Sequence, residues 1–390
     1  MQIFRKACLG LLRLFGWSTS LTWPPEPRGM IMVYPHTSNW DFPIGVLFRL
    51  GHALPAHWMG KDSMFRWPFR RLLIAIGGLP INRRERTGFV ASMVEEMRRR
   101  GYQGMVATGI EDGDLTDFDQ ALGLFERHRP TVLVHLAAMV GGILANSTNL
   151  CDFYEVNTLI NTHVLMAAKK YGVRKIHAMG TGCAYPKRLE GELLVEDDFL
   201  DGVPEPTNYA YAYAKRNMLV HLMAMRDQYG IPYTCLIPAN IFGPHDNFHP
   251  TRSHVVPGLL VRFMKAVMEG KSEVVIWGTG KAQRDLLYIK DCVEAMLHII
   301  GHEDSSGAYN ISSGQRHTIR HLSQTIARET GFAGKLVFDP TCPDGQTTRV
   351  MSTRRLDELG WKPRFTLEQG IRSTIEWCRK NQGHWMVPES

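Results

Sequence analysis

Cysteine is scarce in this sequence, and none of it is paired. Seven cysteines, at positions 8, 151, 183, 235, 292, 342 and 378, are spread over 390 residues without a Cys-x-x-Cys pair or a Cys/His grouping at metal-ligand spacing. That spacing argues against a zinc site and a disulfide framework, so no metal is expected and a reducing, cytoplasmic setting fits. A long apolar run is also missing. Met1 to Trp17 is rich in Leu, Ile and Phe but is interrupted by Arg13. It is too short to span a bilayer, and no small-residue cleavage site follows it. Two readings stay open for it: a helix lying in a membrane surface, or an amphipathic helix packed on its own domain. Low-complexity sequence is absent too, since 44% of residues are hydrophobic and 21% charged, as in folded domains. Acidic residues are few at the start: residues 1–100 hold 15 Lys+Arg and 6 Asp+Glu, a net +9 of the chain's +7, leaving −2 for the rest. Such a basic segment suits an anionic membrane surface, and no nucleic-acid motif accompanies it.

Within the basic segment, a short strand over 29–35 precedes His36-Thr-Ser-Asn-Trp-Asp41, in which a carboxylate five residues on can orient an imidazole as general base. Gly77-Gly78-Leu79-Pro80-Ile81-Asn82-Arg83 follows, a turn and strand ending in an arginine suited to a phosphate. In this order the blocks resemble the glycerolipid acyltransferases that act on lysophosphatidic acid. The resemblance implies catalytic roles for His36 and Asp41 and phosphate binding for Arg83. That family's next block, Glu-Gly-Thr-Arg, occurs nowhere in the chain.

At the junction, Gly101-Tyr102-Gln103-Gly104-Met105-Val106-Ala107 has the glycine spacing of a loop that brings backbone N–H groups to a pyrophosphate. An apolar strand should lead into such a loop, whereas Met93 to Arg100 reads as the charged end of a helix. Beyond Asp114 the pattern alternates between strands and helices. A buried strand is expected over 131–138, a helix over 152–171, a strand over 174–180, a helix over 207–229 and a strand over 233–238. This is the pattern of a parallel sheet, whose ligands bind beyond the strand C-termini. The residues there are Met179-Gly180-Thr181-Gly182-Cys183 and Pro238-Ala239-Asn240-Ile241, while Tyr211 and Lys215 lie four apart on one helical face. An ammonium beside a phenol favours phenolate, so Lys215 is expected to pull Tyr211 down from about 10, as a proton donor to a ketone needs.

Several blocks together carry a resemblance over most of the chain: His-Leu-Ala-Ala-Met-Val-Gly-Gly-Ile (135–143), Cys-Ala-Tyr-Pro (183–186), Tyr-Ala-Tyr-Ala-Lys (211–215), Gly-Pro-His-Asp-Asn-Phe (243–248), Ser-His-Val-Val-Pro (253–257), Trp-Gly-Thr-Gly (277–280) and Pro-Asp-Gly (343–345). From 114 to about 381 the chain resembles the GDP-L-fucose synthases, epimerase-reductases of short-chain dehydrogenase type. The resemblance implies an NADP(H)-dependent enzyme acting on GDP-4-keto-6-deoxy-mannose, and a homodimer. It implies that Cys183 and His254 are the acid–base pair that inverts C3 and C5. Tyr211 would protonate the C4 oxygen, with Lys215 holding phenol and nicotinamide ribose, and Thr181, standing where the family has serine, bonding that oxygen. Gly182 replaces a second family serine. The cofactor residues implied are 101–107, 179–182, Lys215, 238–241 and His254, with Asp114 and Leu115 near adenine. Arg262, Trp277, Arg284 and Asp344 are implied for the GDP-sugar.

The expected fold is α/β: a Rossmann-like parallel sheet with a smaller C-terminal substrate-binding subdomain, preceded by a partial acyltransferase-like segment. The expected boundaries are 1–100, 101–245, with its first strand, helix and second strand lost, and 246–381. Loss of that strand leads us to expect weak NADPH binding. Two alternatives stand beside the epimerase-reductase: a membrane-associated acyltransferase, and an inactive fusion of two incomplete domains.

Overall fold

The computed structural model describes residues 58–61, 78–81, 88–100, 104–249, 253–342 and 348–385. By its contacts the chain divides into Met1–Glu85 and Arg86–Ser390. In the first unit, β1 (Trp58–Lys61) and β2 (Gly78–Ile81) pair in parallel, with Trp58 opposite Gly78. The motif residues His36, Asp41 and Arg83, and the apolar stretch at the chain start, lie outside the described residues.

The second unit opens with helix α1 (Gly88–Arg99), not with a strand. Its apolar side buries Met93, while Arg99 and Arg100 reach Glu96 on the helix's own surface and Glu294 on α7 (Ile289–Gly301). The two guanidiniums hold the Glu96 carboxyl at about 2. Helix α2 (Phe118–His128) starts where Asp117 accepts a hydrogen bond from the Gln120 N–H (3.1 Å), and it buries Ala121, Leu124 and Phe125, the 3.6-residue repeat of an amphipathic helix.

The main sheet has four parallel strands in the order β11 (Gly307–Ile311), β6 (Tyr233–Pro238), β4 (Lys175–Met179), β3 (Val132–His135). Alternation across the pleat gives it two cores. Cys235 and Ile237 of β6 and Ile176 and Ala178 of β4 face the core built with α4 (Leu150–Lys170) and α5 (Tyr209–Tyr229), whereas Leu236 and Ile311 face the core shared with α6 (Val255–Met268) and α7. Between β4 and β6, His177 Nδ1 meets Thr234 Oγ1 at 2.7 Å, and burial keeps the imidazole at about 4, so the cross-strand pair is neutral.

The strand expected to be buried over 131–138 is instead an edge. Among the described residues β3 pairs with β4 alone, and Val132 is 47% exposed. Its run of apolar residues is that of an inner strand, but no described strand covers its outer side. The second lobe holds the parallel pairs β7 (Asn240–Phe242) with β10 (Leu286–Tyr288) and β8 (Glu273–Trp277) with β13 (Lys335–Asp339). It also holds a small sheet in the order β12 (His317–Thr318), β9 (Gln283–Arg284), β14 (Thr348–Met351), β5 (Leu193–Leu194).

The loop after β7 carries a strained, buried feature. His245 has φ 64°, its ring lies 4.7 Å from that of Trp377, and the next side chain, Asp246, has Oδ2 buried with no partner. Burial pushes the Asp246 carboxyl up to about 7, against the pull of the Asn247 N–H on Oδ1 (2.7 Å), and Cys378 on the packed helix α10 (Leu367–Lys380) feels its charge. The unfolded value is about 3.9, so the native state holds the extra proton between the two and loses stability as pH rises through 7. Asp246→Asn should match the wild type in thermal unfolding near pH 4. Near pH 8 it should be more stable, by on the order of 2–4 kcal/mol. A constant difference between the two proteins across that range would refute the buried proton.

Candidate active site

The site is built at the C-terminal ends of β4 and β6, where a parallel sheet leaves its crevice. Beyond β4, Thr181 caps a single tight turn, Gly182–Ala184, its hydroxyl accepting from the Cys183 N–H at 3.3 Å. A Cβ at Gly182 would stand 3.2 Å from the Pro238 carbonyl oxygen and 3.3 Å from the Met351 sulfur, a tight fit in which these neighbours would have to give by a few tenths of an ångström. Glycine, in place of the second family serine, avoids that crowding.

Helix α5 brings Tyr211 and Lys215 to this turn. Lys215 is 1% exposed and donates from Nζ to the Met179 carbonyl oxygen at 2.8 Å, which fixes it to the end of β4. Desolvation lowers its ammonium to about 8. Tyr211 packs edge-on against Phe153 of α4 and interacts through its hydroxyl with Thr181. Its pKa departs from the sequence expectation: burial first, then the neighbouring Cys183 charge, raise it, and the Thr181 hydrogen bond only partly offsets them. The ammonium is directed at the Met179 carbonyl, so it does not draw the phenol down. The phenol therefore stays protonated across the neutral range.

Thr181, Cys183, Tyr211 and Lys215 thus stand together. His254 stands at the start of α6, with φ −72° and ψ 171° and its side chain free of any capping bond. It is open to solvent, while the protein packed around it still lowers its pKa. No hydrogen bond to Cys183 closes the expected acid–base pair among the described residues.

Of the expected cofactor residues, Gly180 donates its N–H to Leu236 O, and Ala239 donates to Ile311 O, holding the ends of β4 and β6 in register. Asn240 donates from both its backbone N–H and its Nδ2 to the Asp285 carbonyl oxygen, at 3.2 and 3.1 Å. Pro238 and Ile241 flank it at the end of β6 and within β7. Residues 101–103 lie outside the described set, and Gly104 has φ +67° in an exposed stretch that continues through Ala107. Asp114 spends its carboxylate on the Thr116 N–H and hydroxyl, and Leu115 O meets His163 Nδ1 at 3.1 Å. The donor set at the strand ends, a buried ammonium with a phenol and a hydroxyl beside it, fits the nicotinamide and ribose of such a cofactor.

Of the substrate residues, Arg262 and Trp277 come together: the guanidinium lies 5.8 Å from the ring centre and donates to Val275 O at 2.6 Å. They line an open cavity of about 690 Å³, and Trp277 is 64% exposed, leaving a face free for stacking. Arg284 lies on β9, donating to Gln283 O, and Asp344 falls outside the described residues. No group of His, Cys, Asp or Glu among the described residues could hold a metal. No described helix is long and apolar enough to cross a membrane.

Sequence reasoning passed over two buried groups. His135 ends β3 with Nε2 3.0 Å from Asn161 Oδ1, kept at about 4 by burial and by the Lys215 charge. Arg216, next to Lys215, donates to the carbonyls of Ala184, Gly202 and Asp201 and so holds the far end of the Cys183 turn. The His135-Leu-Ala-Ala block was visible in the sequence. Its side-chain partners were not.

A Tyr/Lys pair at the strand ends of a parallel sheet, with the lysine buried, is an arrangement suited to a nicotinamide-dependent oxidoreductase. The sequence model of the NAD dependent epimerase/dehydratase family matches residues 86–312, more than half of the chain, and the chain belongs to that family. It is 37% identical over 295 residues to GDP-L-fucose synthase 1 of Arabidopsis thaliana, covering 75% of this chain and 91% of that protein. With GDP-L-fucose synthase of Escherichia coli K12 it shares 36% identity over 305 residues, 76% of this chain and 95% of that one. Among solved structures, a GDP-L-fucose synthetase from Naegleria fowleri bound to NADP superimposes with a TM-score of 0.70 at 30% identity, covering 76% of this chain and 92% of that chain. The acyltransferase alternative draws no support from these relatives.

Proposed function

We propose that this chain is a 3,5-epimerase and NADPH-dependent 4-reductase of GDP-4-keto-6-deoxy-mannose, the GDP-L-fucose synthase reaction of its relatives. The observation that carries this reading is the convergence of Thr181, Cys183, Tyr211 and Lys215 at one sheet end. A 4-keto group acidifies C3 and C5, so inversion needs a base on one side of each carbon and an acid on the other. Cys183 takes the proton and His254 returns it from the opposite side of the carbon. Thr181 hydrogen-bonds the C4 oxygen, and Tyr211, protonated at neutral pH, gives it a proton. Lys215 orients the ribose and keeps its cationic form below about pH 8. NADPH, when bound, supplies the hydride to C4. Arg262, Trp277, Arg284 and Asp344 hold the nucleotide end of the substrate. The cofactor-binding part is the stretch to about residue 245 together with β11 of its sheet, and the rest of 246–381 is mainly substrate-binding. In D2O without NADPH, the enzyme should introduce deuterium at C3 and C5 of the keto sugar; no exchange above the uncatalysed rate would sink the epimerase reading.

A second copy of this chain is the partner proposed. Helices α4 and α5 pack on each other and leave Tyr154, Leu159, Met166, Tyr213 and Val220 exposed on one helix pair, an apolar face that a twofold copy would bury. Light scattering should give the mass of two chains for the wild type and of one chain for Val220→Glu; a monomeric wild type would contradict this.

A further inference from the structure

Between β9 and β10 lies Asp285, 1% exposed, with all of its oxygens in use. Oδ1 accepts from the Ser313 N–H at 3.1 Å and the Ser313 hydroxyl at 2.8 Å. Oδ2 accepts a short hydrogen bond from the Ser312 hydroxyl and lies 3.5 Å from the Met351 N–H. Its carbonyl oxygen takes both donations of Asn240. These partners come from three separate places in the fold. Ser312 and Ser313 follow β11 of the main sheet, and Asn240 begins β7 in the loop proposed to line the cofactor. Met351 ends β14, which pairs with β9 through Arg349 opposite Arg284. The Met351 sulfur in turn fills the space behind Gly182, in the turn that carries Cys183.

The geometry matters because the two ends of the substrate are held by different elements. Arg284 on β9 is the residue immediately before Asp285, whereas the reacting carbons must meet Tyr211 and Cys183 at the end of the main sheet. A displacement of about 1 Å between such a binding group and the reacting groups costs about a hundredfold in rate. A buried carboxylate that accepts hydrogen bonds from the loop after β11 and from the end of β14 resists that displacement.

We propose that Asp285 is a positioning residue, whose carboxylate locks the strand carrying Arg284 to the Ser312–Ser313 loop of the main sheet and to the Met351 support of the catalytic turn. A GDP-sugar held at Arg284 thereby reaches Tyr211 and Cys183. This rests on the reading of Arg284 as a contact to the sugar nucleotide.

The test is a double-mutant cycle on the full chain, with GDP as the probe and titration calorimetry as the readout. Asp285→Asn should weaken GDP binding about tenfold and Arg284→Ala by a similar factor, while the double variant should lose little more than Arg284→Ala alone. Ser313→Ala, a milder change to the same cluster, should weaken GDP about threefold, and it takes over the test if Asp285→Asn lacks a cooperative thermal transition. In turnover, KM for the keto sugar should rise in Asp285→Asn and stay at the Arg284→Ala value in the double variant. Wild-type GDP affinity in a folded Asp285→Asn, or losses that multiply in the double variant, would overturn the proposal. If the coupling in GDP affinity is found but the wild type does not turn over the keto sugar, the functional reading fails and the positioning role stands. A wild type that does not bind GDP at all overturns both.

Discussion

Tyr211→Phe should lose NADPH-dependent reduction of the keto sugar by about a hundredfold to ten-thousandfold, while deuterium still enters C3 and C5 at close to the wild-type rate. The expected split follows from geometry. In the proposed reading Tyr211 and Thr181 address the C4 oxygen, whereas Cys183, on the turn that Thr181 caps, addresses the carbons beside it. Burial keeps the phenol protonated, so removing its hydroxyl deletes the proton donor without altering the charge of the site. Lys215 keeps its hydrogen bond to the Met179 carbonyl, and the ring still packs on Phe153, so the helix should stay in place. Equal loss of exchange and reduction would show that the two chemistries do not divide between these residues.

Cys183→Ala should produce the opposite pattern. Exchange at C3 and C5 should fall by about a hundredfold or more, because nothing else at that turn can take the proton. NADPH oxidation should persist with a product that has not been inverted. Thermal stability should change little. Cys183 is only half-buried, and its turn is held by backbone donation to Thr181 and by Arg216 on the Ala184 carbonyl, neither of which uses the thiol. Unchanged exchange in this variant would move the base elsewhere, His254 being the next group to test.

Where the fold could be read in the sequence, the reason is local. The strands over 175–179 and 233–238 and the helix over 209–229 follow from periodicity, and the Tyr211/Lys215 face follows from a spacing of four. The charged helix before Gly101 was legible for the same reason, and α1 ends at Arg99. What could not be read depends on distant neighbours. The residues of β3 are apolar enough for an inner strand, and only the sheet order places them at an edge. The raised pKa of Tyr211 follows from burial and from Cys183, 28 positions earlier in the chain, which spacing on one helix does not show. Gly182 looked like a lost serine until Pro238 and Met351 closed the space around it. Asp285 gave no signal at all, because its side-chain partners lie 27, 28 and 66 residues away. His36, Asp41, Arg83 and Asp344 lie outside the described residues.

The central claim is that the Tyr211/Lys215 pair still serves a reductase. The direct measurement is absorbance of NADPH with purified full-length chain and GDP-4-keto-6-deoxy-mannose, at NADPH high enough to offset weak binding, with the product resolved by chromatography. The account predicts one NADPH consumed per GDP-L-fucose formed. NADPH left unconsumed, at every cofactor concentration and with a folded protein, would contradict it.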